Sequence, residues 1–129
     1  MDAKRLEQVP LFRDLSRKER ERVARWADEI DVPAGYHLLD QGTFPHEFYV
    51  ILEGSASVTK DGRQIAELGP GDFLGEMAIE RHERRSATVT ATTPITAVVM
   101  RDREFSEMER EMPPVCEQVR AAIADRLGR

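Results

Sequence analysis

A β-hairpin is predicted by the stretch SASVTKDGRQIAEL, residues 55–68. Along 55–59 small or polar side chains alternate with more apolar ones, as they do in a strand that has one buried face. Asp61-Gly62 is a two-residue turn of the kind whose backbone twist matches that of a hairpin. We therefore expect two antiparallel strands joined at Asp61 and Gly62.

The same pattern of short apolar runs between turn residues extends from Asp31 to Met100. The predicted strands are 48–52, 56–60, 64–68 and 95–100. Turn residues such as Pro33-Ala34-Gly35 and those at 69–72 separate the apolar runs, which is typical of an all-β sandwich or roll. Residues 31–100 are thus expected to form an antiparallel β-roll or jelly roll.

Helices are expected on both sides of this roll. Ser16 and Glu19 have the spacing of a capping box, and apolar residues follow them at helical spacing as far as Ile30. After the roll, Asp102 is expected to cap a helix that Pro113-Pro114 ends, and a last helix follows it. Because the helices (1–30 and 102–127) are segregated from the strands, the fold class is mainly β, or α+β, and not a doubly wound parallel sheet.

Length and composition limit what the chain can be. With 129 residues, of which 40% are hydrophobic, the chain suits one domain over 1–129. Its net charge of -5 disfavours nucleic-acid binding by this chain alone. The lone Cys116 cannot form an internal disulfide, and there is no membrane-length apolar run and no signal-like start. We expect no membrane partner and a reducing, cytoplasmic location.

One interruption of the β pattern carries the groups that are suited to a ligand. It reads GDFLGEMAI at 71–79, followed by RRSATV at 84–89. Gly75 allows close backbone approach, and the free amides of a short turn over 76–79 would attract an anion. The guanidinium of Arg85 matches the two exocyclic oxygens of a phosphate, and the carboxylate of Glu76 can accept from a ribose hydroxyl. Together these residues predict a sugar-phosphate site.

These motifs resemble those of the cyclic nucleotide-binding domains of catabolite-activator-like regulators and protein kinase A regulatory subunits. The resemblance extends over nearly the whole chain. It is strongest at Leu74-Gly75-Glu76-Met77-Ala78-Ile79 and Arg85-Ser86-Ala87-Thr88, within a phosphate-binding cassette at 71–89. It implies that Glu76 accepts a hydrogen bond from the ribose 2′-hydroxyl and that Arg85 pairs with the cyclic phosphate.

The resemblance also implies further ligand contacts from several elements. Gly75 and Ala78 would contribute backbone groups, and Ser86 or Ala87 would donate to the phosphate. The apolar residues implied to line the roll around the base and ribose are Val50, Leu52, Leu74 and Val89. The ligand-binding set implied in this way is Val50, Leu74, Gly75, Glu76, Met77, Ala78, Arg85, Ser86 and Ala87. The last helix is implied to close over the base, with Arg120, Ile123 and Arg126 as candidate contacts.

The function implied is that of a regulatory sensor for a cyclic purine nucleotide. Ser86, rather than threonine, follows the arginine and favours cAMP over cGMP. The output would pass to an effector protein or a second copy of the chain through the apolar stripe of Val115, Val119 and Ile123. The loop 80–84 is more charged than in many members of the family. A fold that has lost its ligand and serves as an interaction or dimerisation scaffold therefore stays open as an alternative.

An enzymatic alternative would be a metal-binding jelly roll of the cupin type. Such a site needs clustered histidines with a glutamate, whereas His37, His46 and His82 have no paired ligand spacing. No phosphate-loop or nucleophile signature is found either. We therefore expect no metal cofactor and no catalysis.

Overall fold

The structure is a computed structural model that describes residues 1–43, 46–75 and 87–126, with side chains as far as Ala121. Within this part of the chain the helices are α1 (Ala3–Leu6), α2 (Arg17–Val23), α3 (Asp102–Glu111) and α4 (Pro113–Arg126). The strands are β1 (Asp28–Val32), β2 (His37–Leu39), β3 (Glu47–Glu53), β4 (Ala56–Lys60), β5 (Arg63–Leu68), β6 (Phe73–Leu74), β7 (Thr88–Ala91) and β8 (Ile95–Arg101).

The strands form two four-stranded sheets in which all neighbours are antiparallel. One sheet has the order β1-β8-β3-β6 and is called here the helix-side sheet. The other has the order β2-β7-β4-β5 and is called the hairpin sheet. This arrangement confirms the mainly β roll with flanking helices.

The β4–β5 hairpin forms where it was predicted. Lys60 pairs with Arg63 across the turn, and Asp61 and Gly62 both have positive φ, 53° and 79°. Two successive positive φ values give the turn whose twist suits a two-residue hairpin. The alternation along 55–59 and the turn residues together predicted this element correctly.

The helix-side sheet separates two apolar cores. Residues from both sheets form the inter-sheet core: Val32, Leu38, Leu39, Tyr49, Ile51, Ala56, Leu74, Val89, Ala91, Ile95, Ala97 and Val99. The helix-side core combines the helices and the N-terminal turns with the opposite face of β3 and β8, from which it takes Phe48, Val50, Val98 and Met100. The strands β3 and β8 of the helix-side sheet are therefore buried on both faces, whereas the edge strand β1 is mostly exposed.

The N-terminal capping box is present, but the first strand starts earlier than expected. The Ser16 hydroxyl accepts from the Glu19 amide at 3.1 Å, and the Glu19 carboxylate accepts from the Ser16 amide at 2.8 Å. Ile30, however, lies in β1, which pairs with β8 from Asp28 onward. The expected boundary between residues 30 and 31 is thus wrong, because sheet pairing overrides the helical spacing of the apolar residues.

The C-terminal helices differ from expectation in their cap and in their exposed surface. The N-cap of α3 is Arg101, whereas Asp102 is the first helical residue, so the predicted cap is wrong by one position. The break before Pro113 is confirmed. Val115 and Val119 are each 1% exposed in the helix-side core, so this part of the expected partner-binding stripe faces inward. The side chain of Ile123 lies outside the described residues.

Candidate functional site

The two ends of the predicted cassette are held by different sheets. Gly75 follows β6, which pairs with β3 in the helix-side sheet. Ala87 precedes β7, which pairs with β2 and β4 in the hairpin sheet. Segment 76–86 therefore connects the two sheets. Of the predicted ligand-binding residues, Glu76, Met77, Ala78, Arg85 and Ser86 lie outside the described residues.

Two of the predicted apolar lining residues do lie between the sheets. Leu74 and Val89 are 4% and 3% exposed and belong to the inter-sheet core. Each lies close to one end of segment 76–86, and each comes from a different sheet. Their contact with a ligand stays a prediction. A ligand bound between the sheets would have Leu74 on one side and Val89 on the other.

The placement of Val50 and Leu52 inside the roll is wrong. Val50, 1% exposed, belongs to the helix-side core, and Leu52 packs against that same core. The neighbouring Tyr49 and Ile51 face the inter-sheet core instead. Because β3 is buried on both faces, its apolar run shows no alternation from which the inward face could be read.

Gly75 has φ +80°, in the left-handed region that glycine adopts at little cost. It follows Leu74, whose Cα pairs with that of Tyr49. The backbone therefore leaves the extended conformation of β6 just after a residue that is fixed in the inter-sheet core. This agrees with the expectation that the β pattern is interrupted at this point.

A group of hydrogen bonds at the edge of the site was not expected from the sequence. The backbone N–H of Gln41 donates to the Thr88 hydroxyl at 2.9 Å. The Gln41 side chain donates to the Asp61 carboxylate at 2.8 Å and accepts from the Asp61 amide at 3.0 Å. We call these three bonds the Gln41 bridge. The sequence offered Gln41-Gly42 only as a turn, because the partners of Gln41 lie far along the chain.

Arg120 of α4, a candidate base contact, pairs with Glu109 of α3. Its guanidinium donates to both carboxylate oxygens of Glu109, at 2.8 and 2.9 Å, and lies 5.2 Å from the centre of the Phe105 ring. The hydrogen bond from Arg120 lowers the pKa of Glu109 below its usual range. Ile123 and Arg126, the other candidate base contacts, have side chains outside the described residues.

The described part of the chain shows neither a cluster of metal ligands nor a membrane-spanning helix. There, no group of three or more histidine, cysteine or acidic side chains is placed to hold a metal ion. His37 Nδ1 lies 2.8 Å from Asp40 Oδ1, and His46 Nδ1 lies 3.7 Å from Asp102 Oδ2. Among the described helices, none has both the length and the apolar character needed to cross a membrane.

Comparison with known proteins places the chain in a family. The sequence profile of the cyclic nucleotide-binding domain matches residues 29–111. A cyclic nucleotide-gated potassium channel of Rhizobium etli is 31% identical over 120 residues, which make up 93% of this chain and 34% of the channel. A cAMP-dependent protein kinase regulatory subunit of Schizosaccharomyces pombe is 31% identical over 104 residues, which make up 80% of this chain and 25% of the subunit. The chain thus spans about a third or less of the length of these relatives.

Solved structures agree with the sequence comparison. A cyclic nucleotide-binding domain from Methylobacillus flagellatus has the same fold, with a TM-score of 0.85 at 24% identity, over 98% of this chain and 74% of that one. The catabolite activator protein of Thermus thermophilus superposes with a TM-score of 0.79 at 26% identity, over 92% of this chain and 58% of that one. The resemblance found in the motifs is confirmed, and the chain belongs to the cyclic nucleotide-binding domain family.

Proposed function

We propose that this domain binds a cyclic purine nucleotide, cAMP in preference to cGMP, between its two sheets and acts as a regulatory sensor. The observation that supports this most directly is the frame around segment 76–86. Leu74 and Val89 are buried near its two ends and face the same inter-sheet core from opposite sheets. The segment between them carries Glu76 and Arg85 in the order that the motif of the family requires.

The chemistry of the ligand matches the chemistry of this frame. A cyclic nucleotide has one negative charge, one free ribose hydroxyl and a largely apolar base. In the proposed complex, Arg85 pairs with the cyclic phosphate and Glu76 accepts from the ribose hydroxyl. Apolar side chains of the inter-sheet core that lie near Leu74 and Val89 would contact the ribose and base, as the pockets of small ligands commonly do.

The preference for cAMP rests on two observations. Ser86, rather than threonine, follows Arg85 in this chain. Several similar proteins are named cAMP-dependent protein kinase regulatory subunits, from Schizosaccharomyces pombe, Eremothecium gossypii and Mycosarcoma maydis. Other relatives are named only for cyclic nucleotides or as effectors, among them a Pycsar effector protein of Xanthomonas perforans. The base therefore has to be tested directly.

The regulatory output would pass through the helix-side sheet. Its β3 strand contributes Tyr49 and Ile51 to the core next to the ligand, and Phe48 and Val50 to the core shared with α3 and α4. A ligand that favours one arrangement of the strands would shift the population of helix positions. An effector or a second copy would then recognise the exposed faces of α3 and α4, since Val115 and Val119 are buried.

Calorimetric titration with cAMP, cGMP and cCMP tests the proposal. We expect binding that is tightest for cAMP and weakest for the pyrimidine nucleotide. Arg85→Ala should weaken cAMP binding by about 2–5 kcal/mol, because a charged ligand group loses its partner. Glu76→Ala should cost about 1–3 kcal/mol. Arg63→Ala, which removes an arginine from the exposed strand β5, is the control with equal charge change.

Two outcomes would contradict parts of the proposal. Heats equal to those of dilution for all three nucleotides would overturn nucleotide sensing and favour the scaffold alternative, for which the charged loop 80–84 gives a physical reason. Equal weakening by Arg63→Ala and Arg85→Ala would show that the general charge of the domain, and not a specific contact, attracts the nucleotide.

A further inference from the structure

Three segments meet at the end of the hairpin sheet where segment 76–86 joins it. In the register of the strands, Leu39 at the end of β2 pairs with Val89, and Thr59 near the end of β4 pairs with Thr88. The hairpin turn after Lys60 lies at the same end. The loop after β2, the hairpin turn and the start of β7 are therefore neighbours in space.

The Gln41 bridge ties these three segments together. Gln41 belongs to the loop, Asp61 to the hairpin turn and Thr88 to the first position of β7. The side chain of Gln41 thus holds a turn that is 20 residues away, and its backbone N–H holds a strand start that is 47 residues away. Asp61 is itself in the left-handed region, at φ 53°, and its amide donates to the Gln41 side chain.

The bond to Thr88 extends the attachment of β7 on its β2 side, toward the predicted phosphate-binding arginine. Thr88 is paired with Thr59 of β4, whereas pairing of β7 with β2 ends at Val89. The bond from the backbone N–H of Gln41 to the Thr88 hydroxyl holds Thr88 from the β2 side as well. Arg85 is three residues from Thr88, at most about 10 Å along an extended chain. Pairing of a guanidinium with two phosphate oxygens requires a particular position and orientation of the guanidinium. The position of the strand start to which Arg85 is linked should therefore affect the affinity for the nucleotide.

We propose that Gln41 and Thr88 are positioning residues of the nucleotide site. They hold the start of β7 so that the arginine before it meets the cyclic phosphate, and they touch no ligand atom themselves. The inference rests on the proposed function, because it assigns these residues to the same site.

The test is calorimetric binding of cAMP to Thr88→Val, which keeps the shape of the side chain and removes the hydroxyl. We expect binding to weaken about two- to tenfold, the effect of one lost hydrogen bond. Thr88→Ser keeps the acceptor and should restore wild-type affinity. Gln41→Glu, which places a carboxylate opposite that of Asp61, should weaken binding to a similar extent. Thr96→Val is the matched control, since it removes a hydroxyl bonded to Asp31 at 2.6 Å in the other sheet.

A double-mutant cycle separates positioning from general destabilisation. In an Arg85→Lys background the phosphate partner is a point charge without a fixed fork, so Thr88→Val should weaken binding less than in wild-type protein. Thermal unfolding of each variant checks that the fold is retained.

The outcomes distinguish failure of this inference from failure of the proposed function. Wild-type binding together with unchanged affinity in Thr88→Val overturns this inference alone. This inference is also overturned if Thr88→Ser fails to restore affinity. It is overturned as well if Thr88→Val weakens cAMP binding as much in the Arg85→Lys background as in wild-type protein. Absence of binding to the wild-type protein overturns the proposed function, and this inference with it.

Discussion

The contact between Arg120 and Glu109 is expected to hold α4 against α3. Two hydrogen bonds of 2.8 and 2.9 Å join the guanidinium to the carboxylate, and the Phe105 ring lies 5.2 Å away. The two charged side chains are 37% and 45% exposed, so solvent screens part of their attraction. Two-point geometry places the pair near the upper end of the range for surface ion pairs, about 1 kcal/mol.

A double-mutant cycle with Arg120→Met and Glu109→Gln measures this pair. We expect a coupling energy of about 1 kcal/mol in urea unfolding followed by circular dichroism at neutral pH. Arg120→Met alone should cost about 1–2 kcal/mol, because the contact with the Phe105 ring contributes as well. Arg17 and Glu21 provide the matched control: they have one 3.3 Å contact and side chains 88% and 53% exposed, for which about 0.3–0.5 kcal/mol is expected.

The pH dependence of the pair has a definite sign. Arg120 lowers the folded-state pKa of Glu109, so the contribution is complete above the ordinary glutamate pKa and is lost as the pH falls through the lowered value. The stability difference between wild type and Glu109→Gln should therefore be largest near neutrality and shrink in acid. A coupling no larger than that of Arg17 and Glu21, or a difference that persists at low pH, would refute the reasoning.

Two further predictions concern buried positions. Burial raises the pKa of the Cys116 thiol to about 11, so a disulfide reagent at pH 8 should modify it slowly in native protein and at once in denaturant; fast native labelling would contradict its burial. Gly54→Ala should cost more than about 3 kcal/mol in urea unfolding, because φ is +96° and a Cβ atom would lie 2.3 Å from the Pro94 carbonyl oxygen. Gly62→Ala, at φ +79° with nothing within 4 Å, should cost only about 1–2 kcal/mol, and the reverse order of costs would count against the explanation.

Local chemistry made several elements predictable from the sequence. Asp61-Gly62 specifies its turn through two positive φ angles, and Ser16 with Glu19 specifies a helix start through two reciprocal hydrogen bonds. These features depend on residues a few positions apart, so their pattern is visible in the sequence. The positions of Leu74 and Val89 between the sheets were also predicted, through the resemblance to the family.

Other features depend on partners that the sequence does not show as neighbours. The start of β1 is set by pairing of Asp28 with Val99, and the inward face of β3 is set by what covers each side of its sheet. The bonds of Gln41 likewise join segments that only the complete fold brings together. The roles of Glu76 and Arg85 stay predictions that nucleotide titration will test.

The two-sided burial of β3 has a consequence for how the domain tolerates sequence change. Four successive positions, 48–51, are at most 7% exposed, and they alternate between two different cores. None of them can accept a polar side chain without placing it in an apolar interior. By contrast, Arg63 to Glu67 on β5 are all exposed. In a saturation library, substitutions should therefore survive freely along β5 and be depleted at each of these four β3 positions, including those far from any ligand.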